Sequence, residues 1–349
     1  MKTPLSLVSR AAYVRELRAE LPADVFQPAR SRLAWIPVHL SVIVVATIAI
    51  ADGWLPWFVT PLLSLVIGAS FAGLTFIAHE AGHGGICTGR TARTLVTWIG
   101  FLPFTVSPRL WANWHDRVHH ANANSSGDPD AYPSLEEYQA SGRIRLFIDA
   151  FSPGNRRWRG VLSLMFGFTG QSLNQLVVAR RFMKPRAYRL AIVDTLVGIA
   201  VWVVVASLVG FVPFLFVFVA PLLVANTIVM SFILTNHTLN PRVAINDPLV
   251  SGLSVSAPRW VEWVTLHFGY HVEHHLFPAM SARHAPSVRT VLLRLWPERY
   301  QSMSLRSALR RLHETARVYK DDVTLIDPRT GREFPTLVPG PVDSSVSAG

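Results

Sequence analysis

Residues 55–83 read LPWFVTPLLSLVIGASFAGLTFIAHEAGH, and the fold follows from how that stretch runs and how it ends. Leu55 to Ala78 carries no charged side chain over 24 residues. A bilayer core of ~30 Å needs about 20 mainly apolar residues, so the run is long enough to cross one. It stops on His79-Glu80-Ala81-Gly82-His83, a polar cluster set at the end of a span. Upstream, residues 35–54 form a second apolar run, and Asp52-Gly53 supplies a short turn between the two. The pair predicts a transmembrane hairpin.

The pattern recurs downstream. Residues 190–208 and 211–234 are apolar, and a turn around Gly210 and Pro213 joins them. No Lys or Arg occurs from Leu33 to Gly89 or from Leu190 to Pro241, whereas Arg143–Arg189 holds ten basic residues. The positive-inside rule then predicts that the N-terminus, the central segment and the C-terminus are cytoplasmic. The expected fold is an all-α integral membrane protein: four transmembrane helices in two hairpins, spans about 35–54, 55–78, 190–208 and 211–234, under a cytoplasmic helical cap. Leu95–Val106 is too short to cross and contains Gly100 and Pro103, which predicts a re-entrant or interfacial helix. Val161–Ala179 holds Gln171, Asn174 and Gln175 between clusters of arginine, which predicts a helix lying on the cytoplasmic surface. Residues 1–32 have no apolar core for a secretory signal and predict a short amphipathic cytoplasmic helix. Residues 33–297 are expected to form the membrane domain and 298–349 a cytoplasmic segment with a frayed end from Pro335.

Composition agrees with the spans. Hydrophobic residues make up 50% of the 349 and charged residues 16%, with a mean hydropathy of +0.30. Those values exclude intrinsic disorder and argue against a soluble enzyme. A formal charge of +11 raises the question of nucleic acid. The charges flank the apolar blocks, so they are read as orientation signal and contact with anionic lipid, with no nucleic-acid partner. Cys87 is the only cysteine, which excludes a disulfide scaffold and any cysteine-based metal site. A metal site has to draw on the 13 histidines.

Nine of those fall in four places on one predicted side. They are His79 and His83; His115, His119 and His120 in HDRVHH; His237 just past the last span; and His271, His274 and His275 in HVEHHLFP. Residues three or four apart share a helix face, so each cluster projects imidazoles together. Neutral imidazole suits iron, zinc, copper and nickel. Nine exceed what one ion takes, and two ions about 4 Å apart would use them. Glu80, Asp116 and Glu273 are expected to accept hydrogen bonds from ligand rings, and His267 to stand behind the ligands or in the core. His39, His284 and His313 lie outside the pattern and are read as structural. Trp111, Trp114, Phe268, Tyr270 and Phe277 are candidates either for lining the site or for interfacial anchoring. Gly82, Gly84 and Gly85 read as close packing. Asn122, Asn124 and Asp128-Pro129-Asp130 read as a turn in which Asp128 either orders the second cluster or is plain loop.

HEAGH, HDRVHH and HVEHHLFP, in this order and topology, resemble the three histidine boxes of the membrane fatty acid desaturases, over most of the chain from about Leu33 to Pro297. The resemblance implies a non-haem di-iron centre at the cytoplasmic face. It also implies use of dioxygen and two electrons to remove two hydrogens from an acyl chain, leaving a double bond and water. Carried over by position, His79, His83, His115, His119, His120, His271, His274 and His275 would be iron ligands, and His237 matches an extra histidine that some members supply. Glu273–Pro278 is similar to the lipid-acting and front-end branches, although His271 stands where front-end members commonly have Gln. There is no His-Pro-Gly-Gly haem motif of a fused cytochrome b5 domain. The implied substrate is an acyl-lipid or another acyl group. The implied electron source is a separate ferredoxin-, rubredoxin- or cytochrome b5-like protein with its reductase, docked on a basic face that includes Arg156, Arg157 and Arg159.

Two other enzyme readings use the same residues. A di-iron hydroxylase or carotenoid ketolase shares the histidine-box logic, because oxygen insertion and removal of a second hydrogen diverge late. An intramembrane zinc protease would use HExxH at His79–His83 with Glu80 as general base, but it leaves six other clustered histidines without a role.

Overall fold

The computed structural model describes residues 6–154 and 156–340 and is dominated by helices. Eight helices frame the site: α1 (Arg10–Glu20), α2 (Trp35–Ala51), α3 (Thr60–His83), α4 (Arg90–Phe101), α5 (Arg157–Val178), α6 (Pro185–Val209), α7 (Ala220–His237) and α8 (His271–Leu276). α2 packs along α3, and α6 leads through a turn at Gly210 toward α7. α3 is the most deeply packed, with two thirds of its most apolar stretch buried against 11% for α2 and for α6. Its Phe71, Leu74 and Ile77 are at most 2% exposed and pack in one core with Trp111, Ala225 and Met230. On the outer helices Val44, Val45, Val203 and Val204 are all more than half exposed. Aliphatic side chains presented outward along a whole helix are what a bilayer solvates.

Five helical stretches are long and apolar enough to cross a membrane: Arg30–Ala51, Trp57–His83, Trp158–Arg181, Pro185–Val209 and Phe211–His237. Four coincide with the expected spans. The fifth is the helix expected to lie on the surface, and its mean hydropathy of 1.2 is the lowest of the set. The side-chain amides that lower it are engaged. Gln171 Nε2 donates to Asp130 Oδ1 (2.6 Å), Gln175 Nε2 to the Pro129 carbonyl (2.9 Å), and Arg143 donates to Asn174 Oδ1 (3.0 Å). Near the start of α5, Arg317 donates to Ser163 Oγ (2.8 Å). Midway, Thr169 and Asn226 of α7 exchange hydrogen bonds. Leu95–Val106 falls on α4 and a following 3-10 turn, too short to cross, packed along α3.

Two departures from the expected all-α fold lie outside the helical bundle. β1 (Ser254–Ser256) pairs in parallel with β2 (Ser302–Ser304). β3 (Tyr319–Asp321), β4 (Thr324–Ile326) and β5 (Glu333–Pro335) form an antiparallel sheet. These strands are three residues each, below the length at which period-two alternation becomes visible in a sequence. The chain expected to fray from Pro335 is tied down to Gly340: Leu337 N–H donates to the Leu239 carbonyl (2.8 Å) and Gly340 N–H to Glu298 (2.9 Å). Residues 341–349, the rest of that expected tail, lie outside the described residues. α1 buries Tyr13 and Leu17, and the Tyr13 ring packs edge-on against Trp296 at 4.9 Å.

Candidate metal centre

α3 carries His79 and His83 one turn apart on its last two turns. Gly84 ends it with φ +94°, a left-handed conformation that glycine adopts without a Cβ penalty. Gly82 admits the Trp111 indole against the helix, where any Cβ would collide with the ring. Trp111 thereby packs on three imidazoles, with centroids 5.5 Å from His79, 4.8 Å from His83 and 5.0 Å from His115.

The second box is positioned by a different device. Ser107 caps the turn Pro108–Trp111, which opens into a π-helical segment, Ala112–His119. π-helical turns are rare and gather at functional sites. Ser107 Oγ also donates to Asp194 Oδ2 (2.6 Å), and Arg109 pairs with the same carboxylate, so the acid inside α6 anchors the start of the box. α8 supplies His271, His274 and His275, and α7 ends on His237.

These elements bring all nine histidines together, in two adjacent groups. His79, His83, His115, His120 and His274 form one, with a nitrogen of each within 4.8 Å of the others. His119, His237 and His275 form the second to the same limit, and His271 joins it with Nε2 at 2.6 Å from His237 Nε2. In the first group His79 and His115 face each other Nε2 to Nε2 at 3.0 Å, and His120 and His274 at 3.1 Å. Ring nitrogens converge here where one partner of each pair can at most donate. The buried His83 Nε2, His120 Nδ1 and both nitrogens of His275 have no hydrogen-bond partner among the described residues. Unsatisfied buried polar atoms are costly, and metal ions would satisfy this set. The donors are all imidazole nitrogens, which suits a first-row transition metal.

The outward nitrogens are held by acceptors that fix which nitrogen faces inward. His83 Nδ1 lies 2.9 Å from Asp116 Oδ1, His119 Nδ1 2.9 Å from Asp128 Oδ1, and His237 Nδ1 3.0 Å from the Ser251 carbonyl. Glu80 and Glu273, expected in the same role, bond elsewhere. Glu80 pairs with Arg32 (2.6 Å) and accepts from Ser281 and from Ala282 N–H. Glu273 accepts from Ser254 Oγ (2.6 Å) and Tyr300. Both carboxylates therefore tie distant segments together. His267 Nδ1 lies 3.1 Å from the same Arg32. Arginine only donates, so this nitrogen accepts and the proton sits on Nε2.

Three residues with parts in this framework were not read as such in the sequence. Arg32 is a lone cation at the start of an apolar run, and Ser251 acts through its carbonyl. Asp130 lies with His115 and His119 in a third close group and accepts from Trp114 Nε1 (2.6 Å). Of the aromatic candidates, Phe268 packs on His79 at 5.0 Å and Tyr270, under Arg289, lines the crevice that reaches the centre, while Phe277 packs on Phe26 away from it. His39 stacks on Trp35 and His313 bonds the Leu309 carbonyl, both outside the centre.

Burial, deepened by neighbouring imidazoles, lowers the pKa of His115, His120, His271, His274 and His275 well below 6.5, leaving them neutral with lone pairs free. His119 goes the other way. Burial opposes its charge, but the carboxylates of Asp128 and Asp130 outweigh it and raise its pKa to about 9. Burial in turn raises Asp130 to about 6. Two carboxylates, Asp128 and Asp130, thus lie beside the second group's His119.

A narrow crevice lined by Phe76, Glu80, Thr265, His267 and Phe268 reaches His79, His271 and His274. It has about 20 Å³ of accessible space, room for roughly one water-sized molecule.

Residues 52–307, nearly three quarters of the chain, match the family model for fatty acid desaturases. The chain belongs to the fatty acid desaturase family. The desaturase is 26% identical over 283 residues to the sn-1 oleoyl-lipid 12-desaturase of Synechocystis sp., covering 77% of this chain and 78% of that one. It is 25% identical over 333 residues to the sn-1 oleoyl-lipid 12-desaturase of Anabaena variabilis, covering 89% and 91%. A shorter stretch of 104 residues, 28% of each chain, is 35% identical to the dihydrorhizobitoxine desaturase of Bradyrhizobium elkanii. The protein is a membrane oxidoreductase that introduces double bonds, and its histidine groups are compatible with a di-iron centre.

Proposed function

We propose that this desaturase acts on the acyl chain of a membrane lipid through two iron ions. One ion would be held by His79, His83, His115, His120 and His274, the other by His119, His237, His271 and His275. The observation that carries the reading is the partition of nine buried imidazoles into two touching groups, with orphaned ring nitrogens in each. The acyl-lipid substrate rests on the relatives that span most of the chain. With dioxygen and two electrons, two such ions supply an oxidant strong enough to take hydrogen from an unactivated methylene. The overall change removes two hydrogens from neighbouring carbons and, with two electrons and two protons, converts dioxygen to two waters.

The protein's own part is to orient and to exclude. Asp116, Asp128 and the Ser251 carbonyl hold the rings of His83, His119 and His237 in a single tautomer, so that each presents one nitrogen inward. Trp111 and Phe268 wall the first group with apolar rings, keeping bulk water from the reacting carbons. The electrons come from a separate donor protein in this reading, and the basic segment between α5 and α6 offers it a surface.

We further infer four crossings, with α5 lying along the membrane face on the side of the metal centre. Both ends of α5 support this: Ser163 near one end and Gln171, Asn174 and Gln175 toward the other all bond residues of the polar cap. A crossing helix would carry one end away from that cap. Trp158, Val161, Phe166, Leu173 and Val177 are exposed and suit lipid contact. Both termini then share the side of the centre.

The test is metal and product together. Purified protein should hold about two irons per chain and, with a reconstituted reductase and donor, convert oleoyl-lipid to a more unsaturated product by mass spectrometry. His83→Ala and His274→Ala should abolish turnover while leaving membrane insertion intact. Full activity in either variant, or a hydroxylated product from the wild type, would overturn the assignment.

A further inference from the structure

The two histidine groups are braced unequally, and the difference lies in one loop. Asn124 follows the second box, is 2% exposed, and has φ +57°. Asparagine is among the few residues that adopt this left-handed conformation readily. Its backbone N–H donates to Asp128 Oδ2 (2.8 Å), and Asp128 Oδ1 faces His119 Nδ1 (2.9 Å). Its side-chain amide donates to the carbonyls of His237 (3.1 Å) and Pro241 (3.1 Å). Its own carbonyl accepts from Val243 N–H (3.1 Å). One residue therefore connects the acceptor that orients His119 to the backbone that carries His237. Those two rings, 4.9 Å apart, belong to the same group. They come from segments more than a hundred residues apart in sequence, and α7 ends at His237 with no helical turn beyond to hold it.

The five-histidine group is held by other contacts. His79 and His83 lie on α3, His115 and His120 on the π-helical segment and the turn after it, and His274 on α8; Asp116 faces His83 Nδ1 (2.9 Å) and Asn246 Nδ2 donates to the His120 carbonyl (2.7 Å). We propose that Asn124 is a positioning residue for the second metal position, coupling His119 to His237, so that this position depends on it and the five-histidine position does not. The proposal rests on the two-metal reading above.

Cobalt(II) serves as the probe, since its visible absorbance reports each occupied site without turnover. Metal-free wild type should take up two cobalt ions per chain. Asn124→Gly keeps the left-handed backbone but removes the amide. Asn124→Asp keeps the shape and the backbone N–H but turns an acceptor toward the His237 and Pro241 carbonyls. Both should bind the first ion unchanged and the second about 10- to 100-fold more weakly, the range seen when an outer-shell partner of a metal ligand is lost. Asn122→Ala, whose amide bonds only the Val118 carbonyl of its own helix, should match wild type. Melting of the metal-free forms reads folding independently. Two equal ions in both Asn124 variants, or equal weakening of both ions, would overturn the proposal. A single ion in wild type would instead overturn the two-metal reading on which it stands.

Discussion

Glu80 is the residue at which the desaturase and HExxH-protease readings diverge, and it makes a quantitative prediction. As a general base it would point at a metal-bound water. In the structure both of its oxygens are committed: one to Arg32 at 2.6 Å, the other to Ser281 and the Ala282 N–H. Arg32 is 7% exposed and also donates to the Leu266 carbonyl (3.0 Å) and faces His267. Breaking a buried ion pair by removing one partner costs ~3–5 kcal/mol, because the other charge is left uncompensated. Glu80→Gln and Arg32→Met should each lose about that much. At ~2 °C per kcal/mol for a chain this size, melting in detergent should fall by about 6–10 °C. The double variant Arg32→Met/Glu80→Leu buries no lone charge, so it should lose about as much as either single variant, far less than their sum. A Glu80→Gln protein that melts with wild type would refute the structural assignment, as would strictly additive losses.

Acidification should release the second metal position first. With its pKa at about 9, His119 is protonated at neutral pH when metal-free, so an ion binding there displaces a proton. Affinity at that position should rise about tenfold per pH unit up to pH 9, or about a hundredfold from pH 6 to 8. The first position should change little over the same range, because burial already keeps His115, His120 and His274 neutral. Cobalt titrations at three pH values separate the two, and parallel behaviour would show the assignment to be wrong. For topology, single cysteines at Trp158 and Val177 in a Cys87→Ser background should both react with an impermeant reagent from the same side of sealed vesicles. Labelling from opposite sides would make α5 a fifth crossing.

Much of this molecule was legible in the sequence because its signals are local or compositional. An uncharged run of 24 residues is long enough to cross a bilayer whatever it packs against, and the hairpins at Asp52-Gly53 and Gly210 follow from chain length alone. The nine histidines stood out by density at the ends of those runs. The expectation that α5 lies on the surface rests on Gln171, Asn174 and Gln175 reading as solvated, because their partners, Asp130, Arg143 and Pro129, are remote in sequence. The same blindness applied to Glu80 and Glu273. Adjacency to a histidine in sequence placed them as acceptors for ligand rings, but on a helix the next residue points about 100° away, so each found a partner from another segment.

The division of the histidines into two groups was out of reach for a related reason. Helical spacing pairs His115 with His119 on one face, and the two rings do stack at 5.0 Å beside Asp130, yet His115 also belongs to the five-histidine group and His119 to the group of His237 and His275. Both rings come from the π-helical segment Ala112–His119, which no residue pattern announces. The nearby acceptors also differ. Asp116 lies inside the second box and Asp128 in the loop after it, and one bonds the ring from α3 and the other the ring from the box itself. For His83, His119 and His237 the acceptor at the outer nitrogen sets which nitrogen faces the metal position, and the framework around those acceptors rests on tertiary contacts such as the Asn124 amide on the end of α7. Changing Asp116 should accordingly disturb the first position and changing Asp128 the second, although the two residues lie only twelve positions apart in the chain.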